Sequence, residues 1–254
     1  MKNSILEYRF FIQARTNSSR LPNKILLPFY EGKGILEIII EKLKLKFNSI
    51  PIVVCTSDTK GDDATIELCK KLNVDFFRGS ELNVLDRFAE ALEVYPAKKI
   101  IRICADNPYL DINFMKYLID FSEDCGAVDY CSFCDKDGTP VIKTHWGLFG
   151  EIVNSKTLIE INTIVEDIIF KEHVTNYLYT KNNYNVQLKR IPEKILHRSD
   201  IRFTIDDDKD FEIMREIYPY YLKDNQDIFS AISYVDETPR LKNLMIENIE
   251  KYSK

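Results

Sequence analysis

The feature that most constrains this chain is an alternation, from Phe10 to about Asp124, of short apolar runs with segments of helical periodicity. "FFIQA" at Phe10 to Ala14 reads as a strand, and from Ile35 to Phe47 the residues Leu36, Ile39, Ile40 and Leu43 fall on one helical face. "PIVVCTS" follows as a buried strand, "DDATIELCKKL" as a helix and "DFFRG" as a short strand, and Leu85, Phe88, Ala89 and Leu92 mark the next helix. "KKIIRIC" and "INFMKYLIDFSED" repeat the pair once more. Strands with no polar face, separated by helices, are the pattern of βαβ units. The expected fold class is therefore α/β, a mixed and mostly parallel sheet with helices on both faces, in a single domain over residues 1–254. Ligands of such sheets bind at the carboxyl ends of the strands, so the residues just after each strand are the ones to read for chemistry.

From Val128 to about Arg202 the rhythm weakens. "YCSFCDKDGTPVIKTHWGLFGEIV" has a turn signal at Asp137-Gly138 with aromatic, β-rich flanks, which predicts an excursion of antiparallel strands. Helices are expected around Lys156 to Ile161 and Glu166 to Tyr179. "IRFTIDDDKDFEIMREIY" then predicts a strand ending at Ile205 and a helix face of Phe211, Met214, Arg215 and Tyr218, and Thr238 to Lys254 predicts a terminal helix.

Composition removes several classes of function. With 45% hydrophobic and 12% aromatic residues the chain can bury a core, so neither disorder nor a disulfide-held miniprotein is expected. The 35 Lys and Arg against 40 Asp and Glu are scattered and leave a net charge of −5, which gives no basic face for nucleic acid. No apolar run reaches the roughly 18 residues of a membrane span, and Glu7 and Arg9 interrupt the first apolar stretch. A cytoplasmic protein is expected. The six cysteines show no disulfide framework, and the single Cys131/Cys134 pair has no second pair to complete a zinc site, so packed strand cysteines are expected.

The chemistry-bearing residues cluster after strands. The loop "ARTNSSRLPNK", Ala14 to Lys24, gathers Arg15, Arg20 and Lys24 with Asn17, Ser18, Ser19 and Asn23 at one strand end. Guanidinium forks, an ammonium and loop amides are what a polyphosphate requires; the alternative is a solvated basic turn. Neither GxxxxGK[ST] nor GxGxxG is present. "RICADNP" presents Asp106 at a second strand end, where a carboxylate can hold Mg²⁺ against phosphates. "TIDDD" supplies Asp206, Asp207 and Asp208; Asp208 is expected to cap the following helix, which leaves Asp206 for metal. Asp86 and Arg87 in "VLDRF" could contact a nucleotide or pair on the surface, and His145 and His173 could act on substrate or pack. Two carboxylate sites and a basic loop on separate strands suit metal-assisted phosphoryl or nucleotidyl transfer.

Together "IQARTNSSRLPNKIL", "FFRGSELNVLDRF", "RICADNPYLD", "KEHVTNYL" and "FTIDDDKDFEIMR", in this order, resemble the spore coat polysaccharide biosynthesis type of cytidylyltransferase, itself similar to the CMP-Kdo and CMP-neuraminate synthetases. The resemblance implies a Rossmann-like nucleotide-diphospho-sugar transferase fold with a small inserted β-rich lobe at about 130–200, a homodimer, and a reaction of CTP with a small-molecule acceptor that releases pyrophosphate. It also implies that Arg15, Ser18, Arg20 and Lys24, following Ala14, hold the triphosphate, that Asp86 and Arg87 lie by the nucleoside, and that Asp106 and Asp206 coordinate Mg²⁺. Glu172 and His173 match a block associated with the acceptor, as does the region of His145, where "HWGLFGEIV" aligns with a family stretch through Gly147, Leu148 and Glu151. Asn17 and Asn23 stand where the family usually has glycine and are expected to keep its left-handed turns. Ala105 also replaces a usual glycine, and a turn of different shape is expected there. A metal-dependent glycosyltransferase, which shares the acidic motif, and an inactive nucleotide-binding regulator are the rival readings. Pyrophosphate release from a nucleoside triphosphate separates the nucleotidyltransferase from the glycosyltransferase, and tight CTP binding without release marks the regulator.

Overall fold

The computed structural model describes residues 5–223 and 225–252. Met1 to Ser4, the last two residues of the expected terminal helix and residue 224 lie outside them. The first half follows the alternation closely: β1 (Leu6–Gln13), α1 (Ile35–Lys46), β2 (Ile52–Ser57), α2 (Asp63–Leu72), β3 (Asp75–Gly79), α3 (Val84–Val94), β4 (Ala97–Cys104) and α4 (Ile112–Asp124). After it come β5 (Tyr130–Cys134), β6 (Glu151–Asn154), α5 (Ser155–Ile164), α6 (Ile168–Glu172), α7 (Asn176–Thr180), β7 (Val186–Arg190), α8 (Glu193–Leu196), α9 (Asp208–Lys223), α10 (Ile228–Asp236) and α11 (Pro239–Tyr252).

The strands form one seven-stranded sheet in the order β3-β2-β1-β4-β6-β5-β7. Every neighbouring pair is parallel except those that involve β6, which runs antiparallel to both β4 and β5. The expected antiparallel excursion is thus present, and its strands extend the main sheet. Gln13, Ser57, Gly79, Cys104 and Cys134 end their strands on the same edge at which Glu151 begins β6. From β1 the chain winds outward through β2 to β3, and α3 returns it across the sheet to β4 on the other side of β1. The strand order thus reverses at β1, and the loops after β1 and β4, which are neighbours in the sheet, lie side by side at the strand ends where ligands of such sheets bind.

Both faces of β1 are covered, which is why it shows no alternation. Phe10 and Ile12 pack against α1, where Leu36, Ile39, Ile40 and Leu43 are fully buried, and against α4. Phe11 points the other way, against Leu85 and Phe88 of α3 and Leu158 and Ile161 of α5. Cys131 and Cys134 are buried free thiols three residues apart on β5, so they point to opposite faces and cannot share a ligand. No described helix is long and apolar enough to cross a membrane.

Four expectations need correction. Ile201 to Ile205 is mostly buried but belongs to no strand; the Phe203 amide donates to the His145 carbonyl (2.7 Å), in an irregular loop that cannot continue a ladder. The helix expected over 166–179 is two short ones, α6 and α7, broken at His173 to Thr175. On α9 the buried face is Phe211, Ile213, Met214, Ile217 and Tyr218, with Arg215 exposed. The cap of α9 is Asp207, not Asp208: its carboxylate accepts from the Asp210 amide (3.0 Å) and its carbonyl from the Phe211 amide (3.0 Å).

Asp207 also holds the terminal helix, accepting from Lys251 (2.8 Å) and the Tyr252 hydroxyl (2.7 Å). Burial alone would raise its pKa, but the bonds from Lys251, the Asp210 amide and Tyr252 outweigh burial and hold it at about 2. An unfolded aspartate titrates near 4, so a contribution of about 1–2 kcal/mol, discounted for the exposed Lys251, is complete above about pH 4 and lost as the pH falls toward 2. In urea melts, Asp207→Asn should be less stable than wild type at pH 7, with the difference closing below pH 3.

Candidate active site

Loop 14–24 is shaped by a buried acid outside it. Asp62, 1% exposed, accepts from the Thr16 amide and hydroxyl (2.7 Å each), from the Ser57 amide (2.9 Å) and from the Ser57 hydroxyl. Burial alone would raise the Asp62 pKa, but these bonds hold it below the usual carboxylate value. The Ala14 amide continues the sheet by donating to Cys55 (3.1 Å), and the Thr16 carbonyl accepts from the Ser18 and Asn23 amides (2.9 and 2.8 Å). Asn23 has φ +60° and so supplies the expected left-handed residue; Asn17 does not, and its side chain donates to Glu81 instead (2.7 Å). Ala105 needs no glycine-like backbone either, because its amide pairs with the Gln13 carbonyl (3.0 Å) and extends the sheet by one bond.

Each loop cation faces an acid from a different segment. The Lys24 ammonium donates to Asp106 (2.5 Å) and to the Ile205 carbonyl (2.7 Å), and so bridges the two acidic turns. Arg20 pairs with Asp206, and Arg15 lies 3.6 Å from Glu172 at the end of α6. The half-buried Ser18 bonds within the loop, its hydroxyl accepting weakly from the Leu21 amide (3.4 Å). The Asp106 and Asp206 side chains remain 32% and 28% exposed, open enough to take a ligand. Among the described residues no three metal-ligating side chains cluster; Asp106 and Asp206 are linked through Lys24, which touches Asp106 and the carbonyl of the residue before Asp206. That donor set suits Mg²⁺, which takes one or two carboxylates and fills its remaining positions with phosphate and water oxygens.

Behind Asp206 stands Arg202, which sequence reading passed over as an ordinary strand residue. Its side chain is 1% exposed and forks onto both oxygens of Asp210 (2.9 Å each), while the same guanidinium reaches Asp206 and His145 Nδ1. Asp210 also accepts from the Asp206 amide and from Asn248 (2.8 Å each). His145 therefore borders the acidic turn. His173 is exposed next to Glu172, at the break between α6 and α7.

A hollow of about 580 Å³ opens at the ends of β2 and β3, lined by Asp58, Thr59, Gly79, Ser80, Glu81 and Asp86 among others. Asp86 accepts from Asn162 of α5 (2.9 Å) at its rim. Arg87 does not face it openly: fully buried, it donates to the Ser80 carbonyl (3.1 Å), and its Nε and second terminal nitrogen have no partner among the described residues. A β-carbon on Gly79 would lie 3.0 Å from Arg87 Cγ, so glycine lets the arginine pass beneath the floor. A second hollow, of about 420 Å³ near Phe47 and Asp75, lies at the opposite edge of the sheet.

Comparison with known proteins gives a consistent result. Residues 10–238 match the cytidylyltransferase family. An uncharacterized Methanocaldococcus jannaschii protein, MJ1063, is 37% identical over 233 residues, 92% of each chain. The spore coat polysaccharide biosynthesis protein SpsF of Bacillus subtilis is 34% identical over 218 residues, 82% of this chain and 85% of that one. Among solved structures, a cytidylyltransferase from Leptospira borgpetersenii superposes with a TM-score of 0.80 at 26% identity, covering 93% of this chain and 96% of that one. The CMP:2-keto-3-deoxy-manno-octonic acid synthetase complexed with CTP shares the fold, with a TM-score of 0.63 at 15% identity over 84% of this chain and 98% of that one.

Proposed function

Because the chain belongs to the cytidylyltransferase family, we propose that it transfers the cytidylyl group of CTP to a sugar acid, sugar phosphate or related small acceptor, for a surface polysaccharide precursor, and releases pyrophosphate. The observation that carries this reading is the Lys24 ammonium, which spans Asp106 and the Ile205 carbonyl at the mouth of the crevice with Arg15 and Arg20 on the same loop. The SpsF relative, named for spore coat polysaccharide biosynthesis, supports the kind of product.

An acceptor oxygen attacks the α-phosphorus; its bond to phosphorus forms as the bond to the β-phosphate bridge breaks, and any hydroxyl proton passes to solvent. Arg15, Arg20 and Lys24 neutralise the triphosphate and the departing pyrophosphate, and fixed charges of this kind favour the transition state because they need not reorient as it forms. Asp106 and Asp206 would hold Mg²⁺, which supplies Lewis-acid neutralisation of phosphate oxygens. Asp86 and the hollow at β2 and β3 would take the nucleoside, with Arg87 holding the Ser80 carbonyl in place. Glu172, His173 and His145 border the side left for the acceptor. The test is pyrophosphate release from each nucleoside triphosphate with a panel of acceptors, with mass spectrometry for a CMP- or CDP-linked product. CTP alone should support release; no release together with no CTP binding by calorimetry would refute the reading.

A further inference from the structure

Lys42 is a buried cation that the chemistry above does not use. It lies on the inner face of α1, 5% exposed, where burial pushes its pKa down to about 7. Such a group is expensive to keep in a core and persists where it has partners. Here the ammonium donates to the carbonyls of Pro108 (3.3 Å) and Leu110 (3.1 Å) and to the Tyr221 hydroxyl (3.0 Å). Its nitrogen also lies 4.9 Å from the centre of the Tyr221 ring.

Two of those partners follow Asp106 in its turn, and the third sits in the last turn of α9, the helix that Asp206 and Asp207 precede. Pro108 and Leu110 end the turn that begins at Asp106, and apart from Asp106 itself residues 105–111 of that turn are buried, so its carbonyls need donors from within the protein. Tyr221 belongs to α9, whose first turn follows Asp206 and Asp207. Between the two bonded carbonyls, the Tyr109 hydroxyl donates to Met214 of α9 (2.7 Å), and its ring packs on Phe203, Tyr218 and Tyr221. The Asp111 amide then closes the turn onto Leu148 (2.9 Å).

We propose that Lys42 is a positioning residue of the transfer reaction: by tying the Asp106 turn to helix α9 it sets the span between Asp106 and Asp206. The inference rests on the nucleotidyltransferase reading and predicts a defect confined to the metal-dependent part of binding and turnover. Residues that orient metal ligands typically cost about 10–100-fold in metal affinity or activity when removed, and Lys42→Met should weaken Mn²⁺ in the complex with CTP by about that factor.

The experiment compares wild type, Lys42→Met, Lys42→Arg and Tyr221→Phe. Manganese paramagnetic resonance with CTP reports metal affinity, and calorimetry of CTP in excess chelator reports metal-free nucleotide binding. The expected result is weakened Mn²⁺ with little change in metal-free CTP affinity for Lys42→Met, recovery in Lys42→Arg, whose guanidinium can also donate to both carbonyls, and a smaller loss in Tyr221→Phe. Should Lys42→Met fail to fold, Tyr221→Phe carries the comparison, since it removes only the hydroxyl. Unchanged Mn²⁺ affinity, or parallel loss of metal and metal-free CTP binding, would overturn the positioning role. A wild-type protein that forms no manganese–CTP complex would instead overturn the nucleotidyltransferase reading.

Discussion

Lys24→Ala should lower kcat for pyrophosphate release from CTP by about 10²–10³-fold, the scale for removing one preorganised electrostatic partner of a developing charge. The reason is the position of Lys24 among its neighbours. It touches Asp106 at 2.5 Å and the Ile205 carbonyl at 2.7 Å, and its side chain is only 11% exposed. Arg15 and Arg20 sit on the same loop but face Glu172 and Asp206, so neither replaces a cation at the meeting point of the two acidic turns. CTP affinity should suffer less than turnover, because both arginines remain. Lys24→Arg should recover only part of the loss, because a planar fork does not occupy the place of a compact ammonium held between a carboxylate and a carbonyl. Steady-state kinetics of the two variants with CTP measure both effects. Full activity in the alanine variant would remove Lys24 from the reaction.

The parts of this protein that can be read from its sequence are those with a period or a local concentration of charge. β3 and α4 fall on the residues that "DFFRG" and "INFMKYLIDFSED" mark, and the buried face of α1 is the one its i, i+3, i+4, i+7 spacing selects. The basic loop and Asp106 could be found because they directly follow strands. Asp206 follows Ile201 to Ile205, which has the composition of a strand but lies against an irregular loop and joins no ladder. Asp62, Arg202 and Lys42 escaped detection because single buried charges have no period. Asp62 looks like the acidic start of a helix, yet its carboxylate caps nothing in α2 and binds Thr16 and Ser57. Only three-dimensional packing distinguishes such a residue from a solvated one.

Glu151→Ala should be the most destabilising single replacement around this site, by about 3–5 kcal/mol, the cost of leaving a buried partner charge uncompensated. Glu151 begins β6 directly opposite Arg102 on β4, and the two side chains are 3% and 5% exposed and ion-paired. Arg102 also donates to Gln13 of β1 (3.1 and 2.7 Å), while the other Glu151 oxygen accepts from Tyr130 (2.6 Å) and Thr175 (2.9 Å). One carboxylate thus joins the ends of β1 and β4, from which the phosphate loop and the Asp106 turn depart, to the break that carries His173. In a domain of this size the loss corresponds to a melting point lower by about 6–20 °C. Arg102→Met combined with Glu151→Leu should be far milder than Glu151→Ala, because the large term is the stranded guanidinium and not the loss of the pair. Thr175→Val removes one hydrogen bond to the charged carboxylate and should cost about 1.5–3 kcal/mol. Thermal melts of the four proteins test the ordering. A double variant as unstable as Glu151→Ala would mean that the pair itself, rather than the avoidance of an unpaired charge, holds these strand ends together.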